Sequence, residues 1–207
     1  MTTDVGRIVA LGASNLTRGF QTLVSTARGA WGPYVEVLAA LGHGRSYGAP
    51  SRLVFRTLPG ILESGLWREL ESRPQVPTRA LVTNVGNDIL YSFSAEKTLA
   101  WVAEALGRLA RFTRDIVVTD LPLASIRRLS RTKFLVFRSI LAPSCRLSLA
   151  QVLETAERVN ASSPSCRPRT APSSLVSIRR GTGSTPSTFA LLFGVRHGRR
   201  SSAVHMR

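Results

Sequence analysis

Cysteine is scarce in this chain of 207 residues, in which only Cys145 and Cys166 occur. Two cysteines give neither a disulfide framework nor the ligand spacing of a metal site, so we expect no metal and no cofactor. No apolar run reaches the roughly 20 residues that a membrane-spanning helix needs. The first residues also lack a basic segment followed by an apolar stretch, which a secretion signal would require. The sequence therefore predicts a cytoplasmic protein without a membrane span.

Acidic residues are missing from the last part of the chain. Residues 1–160 hold all 12 Asp and Glu beside 20 of the 28 Lys and Arg, a net charge of +8, and residues 161–207 add eight Arg. The total of +16 would by itself favour a nucleic acid or an anionic surface as partner. Because half of it comes from a tail of unusual composition, we do not expect nucleic acid to be the partner.

Short apolar runs alternate with amphipathic stretches along residues 1–160. The predicted strands are Arg7–Ser14, Tyr34–Leu41, Arg79–Gly86 and Asp115–Pro122. The predicted helices run from Asn15 or Thr17 to about Arg28, over about Ser51–Leu70 with an interruption near Pro59-Gly60, and from a cap at Ser94 to about Thr113. Two further helices are predicted within Ser125–Asn160, around Pro143. This alternation is typical of a parallel sheet with helices on both faces. We therefore predict one α/β domain over 1–160, a three-layer α/β/α sandwich.

Polar and glycine residues follow three of these strands. Ser14 ends the first, Gly44 follows the second, and Asn87 and Asp88 follow the third. Sites in such sheets form outside the carboxyl ends of the strands, which share one edge. A serine at a strand-to-helix turn exposes its hydroxyl, while peptide N–H groups and an asparagine amide can bind an oxyanion. The pattern fits nucleophilic attack on an ester carbonyl.

The same segments resemble three sequence blocks of the SGNH/GDSL hydrolases. In LGASNLTRG, Gly12 and Ser14 match the first block, and Ala13 stands where the family usually has Asp. The stretch ALGHGRSYG is similar to the second block. NVGNDIL is similar to the third, with its glycine, Gly86, one place late.

The resemblance covers roughly residues 7–122. It implies a flavodoxin-like SGNH fold and a serine hydrolase that acts on carboxylic esters of small molecules, with acyl or acetyl groups. It implies Ser14 as the catalytic nucleophile, and the N–H groups of Ser14 and Gly44 with the Asn87 amide as the oxyanion hole. Asp88 and Gly12 would support these residues.

The fourth block of the family is absent. This block is an Asp-x-x-His that supplies the base and the acid that orients it. The only histidines of the chain are His43, His197 and His205, and no Asp occurs after Asp120. As written, the chain therefore lacks the last strand or the loop that would carry the base, and we expect it to be nearly inactive.

A shifted reading frame would explain the missing block. When the third base of each codon is joined to the first two bases of the next, allowed codons from Arg180 onward can spell Trp-Tyr-Gly-Phe-Asp-Pro-Ile-His. The Asp spans the codons of Ser184 and Thr185 and lies in the sequence where the block is expected. We therefore hypothesise a frameshift near Asn160, with 161–207 an out-of-frame, disordered tail.

Each of these residues also has a plainer interpretation. Ser14 could only cap a helix, Asn87 and Asp88 could form an Asx-turn, and Gly44 could only permit a tight turn. His43 could replace the missing base or simply lie in solvent. A rival function is a non-catalytic basic protein that binds nucleic acid or anionic surfaces through residues 127–138 and the tail. A third is a pseudoenzyme that uses its cleft for binding only.

Overall fold

A computed structural model of the protein describes residues 6–53, 56–83, 86–141, 145–162 and 177–182. The strands are β1 Arg7–Leu11, β2 Glu36–Ala40, β3 Ser51–Leu53, β4 Arg56–Leu58, β5 Thr78–Val82, β6 Asp115–Asp120 and β7 Ser177–Thr182. The helices are α1 Ser14–Trp31, α2 Leu66–Ser72, α3 Asn87–Leu90, α4 Ala95–Ala110, α5 Leu123–Arg127, α6 Arg131–Leu141 and α7 Leu149–Ser162. Within these residues, one parallel sheet has the order β2-β1-β5-β6-β7. The four predicted strands are confirmed, each somewhat shorter than predicted.

Helices cover both faces of the sheet. Successive side chains of a strand point to opposite faces, so the apolar strands offer each face apolar side chains that helices can bury. Val9 and Leu11 of β1 lie in the larger core, together with buried residues of α2, α4 and α7. Ile8 and Ala10 point to the other face and share a smaller core with α1. The central strands are therefore buried on both sides, and the predicted α/β character is confirmed.

Ser51–Leu53 and Arg56–Leu58 are strands, so the helix predicted over Ser51–Leu70 is wrong in its first half. β3 and β4 pair antiparallel there, with Ser51 opposite Leu58. Pro59 directly follows this pair, and a proline cannot donate the backbone hydrogen bond that a helix interior requires. The helix of this region starts only at Leu66, and its Trp67 is buried.

Helix starts differ from the predictions at two places. α1 begins at Ser14, before Asn15 and Thr17, and no side chain caps it. Residues 123–162 form three described helices instead of two, because the Ser130 hydroxyl accepts a hydrogen bond from the Lys133 N–H (3.3 Å) and so starts a separate helix. The predicted cap at Ser94 is confirmed by its hydrogen bond from the Lys97 N–H (3.2 Å).

β7 lies in the segment where we expect the last strand to be missing, and that expectation is corrected for Ser177–Thr182. This strand pairs with β6 in parallel, from Asp115 opposite Ser177 to Asp120 opposite Thr182. An open sheet edge offers backbone N–H and C=O groups, and pairing with them depends little on the side chains of the added strand. The remainder of the predicted tail, 163–176 and 183–207, lies outside the described residues.

Within the described part of the chain, no helix combines the length and the apolar character that crossing a membrane would require.

Candidate active site

Ser14 lies at the turn between β1 and α1 and is the first residue of α1. Ala13 before it is buried, and the Ser14 side chain is only partly buried. Gly12 makes this turn possible, because a Cβ at this position would lie 2.6 Å from Thr83 Cγ2. The Gly12 N–H also donates to the Ala40 carbonyl at the end of β2 (3.0 Å). The turn is thus fastened to both neighbouring strands, and it presents the Ser14 hydroxyl at the carboxyl edge of the sheet.

Gly44 brings the loop after β2 to this hydroxyl. Its N–H donates to Ser14 Oγ at 3.3 Å. The residue has φ +68°, a backbone conformation that favours glycine. A Cβ here would lie 2.9 Å from Tyr91 Oη, and that hydroxyl donates to the Gly44 carbonyl at 2.5 Å. Conformation and space both require a glycine, whose peptide N–H points at the serine.

Asn87 brings the third loop to the same place. It is the first residue of α3, and its Nδ2 donates to the Arg45 carbonyl at 3.2 Å. Arg45 follows Gly44 in the chain, so the amide lies beside the loop that contacts Ser14. The structure therefore brings the segments of Ser14, Gly44 and Asn87 together at one edge of the sheet.

Asp88 holds the loop after β2 in place through hydrogen bonds from Ser46 and Tyr47. Its side chain is fully buried and accepts a hydrogen bond from the Ser46 hydroxyl. The Tyr47 N–H donates to both carboxylate oxygens, at 3.1 and 3.2 Å. Tyr47 is itself buried, and its hydroxyl donates to the Thr83 carbonyl at 2.8 Å. One carboxylate thus joins α3 to the loop that carries Gly44.

Burial changes the acidity of this cluster. Loss of hydration raises the pKa of Asp88 to about 6, although the hydrogen bonds from Ser46 and Tyr47 partly oppose the shift. Burial, reinforced by the nearby Asp88 charge, also raises the pKa of Tyr91. The pKa of Tyr47 is raised for the same two reasons. Both phenols are therefore neutral hydrogen-bond donors at ordinary pH.

Arg45 fastens the loop on its other side. Its side chain is buried, and burial lowers the pKa of its guanidinium. Nε donates to the Pro59 carbonyl at 3.0 Å, and Nη1 donates to the Leu41 carbonyl at 3.1 Å. Three sets of hydrogen bonds therefore hold the loop around Gly44 in place: those of the Arg45 side chain, that of the Tyr91 hydroxyl and those of the Asp88 carboxylate.

The described site contains a hydroxyl and peptide and amide N–H groups, but its only histidine is exposed. That residue is His43, next to Gly44, while His197 and His205 lie outside the described residues. Among the described residues, no group of three or more His, Cys, Asp or Glu is placed to hold a metal ion. The arrangement of the Ser14 hydroxyl and these N–H groups is one that can orient and polarise a carbonyl.

Arg45, Ser46, Tyr47 and Tyr91 belong to the site, but the sequence did not predict them. The first three lie within the GHGRSYG stretch, in which Gly44 was the predicted site residue. Tyr91 lies three residues after Asp88 and directly follows the last residue of α3. Their role depends on contacts between distant loops, which no local pattern reveals.

No protein-family model matches the chain, and no curated protein matches its sequence.

Proposed function

We propose that this chain is a serine hydrolase of the SGNH/GDSL type that acts on carboxylic esters of small molecules, with acyl or acetyl groups. The observation that carries the proposal is the contact of the Gly44 N–H with Ser14 Oγ, 3.3 Å apart, beside Asn87. The strand order β2-β1-β5-β6-β7 supports it, since the second strand lies outside the first as in flavodoxin-like sheets. Ligands of such sheets bind at the carboxyl edge, where Ser14 lies.

In the proposed reaction Ser14 Oγ attacks the ester carbonyl carbon and loses its proton to a base. The carbonyl oxygen becomes an oxyanion that accepts hydrogen bonds from the N–H groups of Ser14 and Gly44. The C–O bond to the alcohol then breaks, and the alkoxide takes the proton from the base. Water hydrolyses the acyl-serine in the same way, which releases the acid and restores Ser14.

Asn87 is proposed as the third oxyanion donor. Its side-chain amide has two N–H bonds, and one of them donates to the Arg45 carbonyl. That bond fixes the amide plane and leaves the second N–H for the substrate. Asp88 and Gly12 are positioning residues in this proposal, because they hold the loops and contact no reacting atom.

The base is proposed to come from the shifted reading frame. β7 ends at Thr182, beside the carboxyl end of β6. The shifted Asp codon begins in Ser184 and the shifted His codon begins in Ser187, a few codons after this point. A strand at the position of β7 would therefore deliver Asp-x-x-His to the edge that carries Ser14. Resequencing the gene around codon 160 tests this step, and an intact frame whose bases cannot encode Asp-x-x-His contradicts it.

A fluorophosphonate probe tests the proposed nucleophile, because it phosphonylates an activated serine. We expect weak labelling of Ser14 in the chain as written and strong labelling in the frame-restored variant, whose gene is read one base earlier from about codon 160. Ser14→Ala abolishes the labelling of both proteins.

Ser25→Ala is the matched control for this experiment. Ser25 is an exposed serine of the same helix whose hydroxyl donates to the Gln21 carbonyl (2.8 Å), so its removal leaves the labelling unchanged. A folded frame-restored variant without label on Ser14 overturns the proposed function.

A further inference from the structure

The segment between Asp120 and Glu154 has an unusual charge. It contains no acidic residue, and its basic residues are Arg127, Arg128, Arg131, Lys133, Arg138 and Arg146. α5 and α6 belong to this segment and follow β6 at the carboxyl edge of the sheet. A strongly basic surface therefore begins at the edge where the candidate active site lies.

α6 exposes apolar side chains within this basic surface. Leu135 is 42% exposed and Val136 is 55% exposed, whereas Phe134 beside them is buried in the larger core. Tyr34, far away in the sequence, is another exposed large apolar residue among those described. Two adjacent exposed aliphatic residues on one helix are more than the isolated apolar residue that a protein surface normally carries.

The exposed residues of α6 have a definite order around its axis. At about 100° per residue, Arg131 and Lys133 lie at the two borders of the exposed arc, and Leu135 and Val136 lie between them, on either side of Thr132 and Ser139. Helices that lie in a membrane interface also carry basic residues beside apolar ones, because long basic side chains reach the lipid headgroups while the apolar residues enter the acyl region. We refer to Arg131, Lys133, Leu135 and Val136 as the α6 face.

Few acidic groups balance this surface. Arg127 pairs with Glu157 at 2.5 Å, and Arg138 donates to the Leu147 carbonyl at 3.0 Å. Among the described residues, the ion pairs do not include Arg131 or Lys133, both of which are exposed. The borders of the α6 face therefore keep their positive charge for an external partner.

Charge decides what can cover the α6 face. Residues 161–207 hold eight Arg and no acidic residue, so their charge does not favour contact with this basic face. A second copy of this chain, with a charge of +16, would bring like charges together. The partner must therefore be anionic, and the exposed Leu135 and Val136 require one that also has an apolar layer. An anionic lipid surface combines both properties, whereas nucleic acid offers phosphate without an apolar layer.

We propose that the α6 face docks this protein peripherally on membranes rich in anionic lipid. Leu135 and Val136 enter the interface, and Arg131 and Lys133 contact the lipid phosphates. The docking does not depend on hydrolysis, since none of these residues belongs to the candidate active site.

Cosedimentation of the full chain with vesicles tests the proposal. We expect binding to vesicles of phosphatidylglycerol and phosphatidylcholine in equal parts, little binding to phosphatidylcholine alone, and a decrease with rising salt. Leu135→Ser combined with Val136→Ser weakens the binding roughly tenfold or more. Arg131→Gln and Lys133→Gln each weaken it roughly fivefold. Circular dichroism verifies that each variant is folded.

Matched controls come from other parts of the surface. Tyr34→Ser removes an exposed apolar side chain outside the α6 face, and Arg68→Gln removes an exposed charge of α2, so both leave the binding unchanged. Equal vesicle binding by the Leu135/Val136 double variant and the parent chain overturns the proposal. So does binding to duplex DNA in the absence of binding to anionic vesicles, which supports the nucleic-acid alternative instead.

Discussion

At the scale of single residues, Asp88 is the group through which pH acts on the site. Burial raises the pKa of its carboxyl to about 6, above the 3.8 of an unburied Asp. The folded protein therefore binds this proton more tightly than the unfolded chain does. The resulting stabilisation is complete below about pH 4 and is lost as the pH rises through about 6. Over this range we expect Asp88 to lower the free energy of unfolding by roughly 3 kcal/mol.

Asp88→Asn should remove this pH dependence. The amide keeps an oxygen that can accept from Ser46 and Tyr47, and it carries no charge at any pH. Urea unfolding at several values between pH 4 and pH 7 should show the variant gaining stability relative to the parent chain as the pH rises. Ser46→Ala should instead make the stability depend more strongly on pH. It removes a donor that favours the ionised carboxylate, so the pKa of Asp88 rises further. Parallel pH profiles of the Asn variant and the parent would contradict this assignment.

At the scale of structural elements, the contact between the loop after β2 and α3 depends on Gly44. Gly44→Ala should destabilise the protein by about 1–3 kcal/mol, because a left-handed φ strains a non-glycine residue and the new Cβ meets Tyr91 Oη. It should also reduce labelling of Ser14, since the Gly44 N–H moves. Thermal unfolding and probe labelling measure the two effects.

Two variants separate space from backbone conformation at this position. Tyr91→Phe removes the hydroxyl that the new Cβ would meet, so adding it to Gly44→Ala should recover part of the stability. Gly107→Ala is the control, since nothing lies within 4 Å of its added Cβ inside α4. There alanine should stabilise the protein by roughly 0.5–1 kcal/mol. If Gly44→Ala behaved like Gly107→Ala, the close contact with Tyr91 would be refuted.

Elements with a strong local signal could be predicted from the sequence, and those set by distant partners could not. β1, β5 and β6 are apolar runs with buried residues on both faces, and β2 is a partly buried one, so their sequence alone indicates them. The pairing of Ser51 with Leu58 depends on the register between two short strands. The sequence of this segment does not show that register, and its order of apolar and polar residues also fits a helix. In the site, Ser14, Gly44 and Asn87 follow strands and could be found, but Ser46 and Tyr91 act only across the assembled loops.

At the scale of the whole molecule, one edge of the sheet is a strand from an Arg-rich segment. β7 occupies the edge of the sheet next to β6, with which it pairs in parallel. The sequence could not indicate this, because SIRRGT has no apolar periodicity that favours a strand. The last residue of β7, Thr182, lies opposite Asp120, the last residue of β6, so β7 ends at the carboxyl edge of the sheet, where Ser14 also lies.

The frame-restored variant is therefore expected to gain ester hydrolysis. Without a base, oxyanion donors and binding leave about 10³–10⁴-fold catalysis over water, and a His base with its Asp should add at least about 10²-fold. The rate of p-nitrophenyl acetate hydrolysis should rise with pH through the range in which a histidine loses its proton, near pH 6.5. The same variant with Ser14→Ala should stay at background, and one with Asn87→Ala should lose about 10²–10³-fold. A gain that survived Ser14→Ala would place the chemistry elsewhere in the chain, because Oγ of that residue is the only atom the mechanism offers for the acyl group.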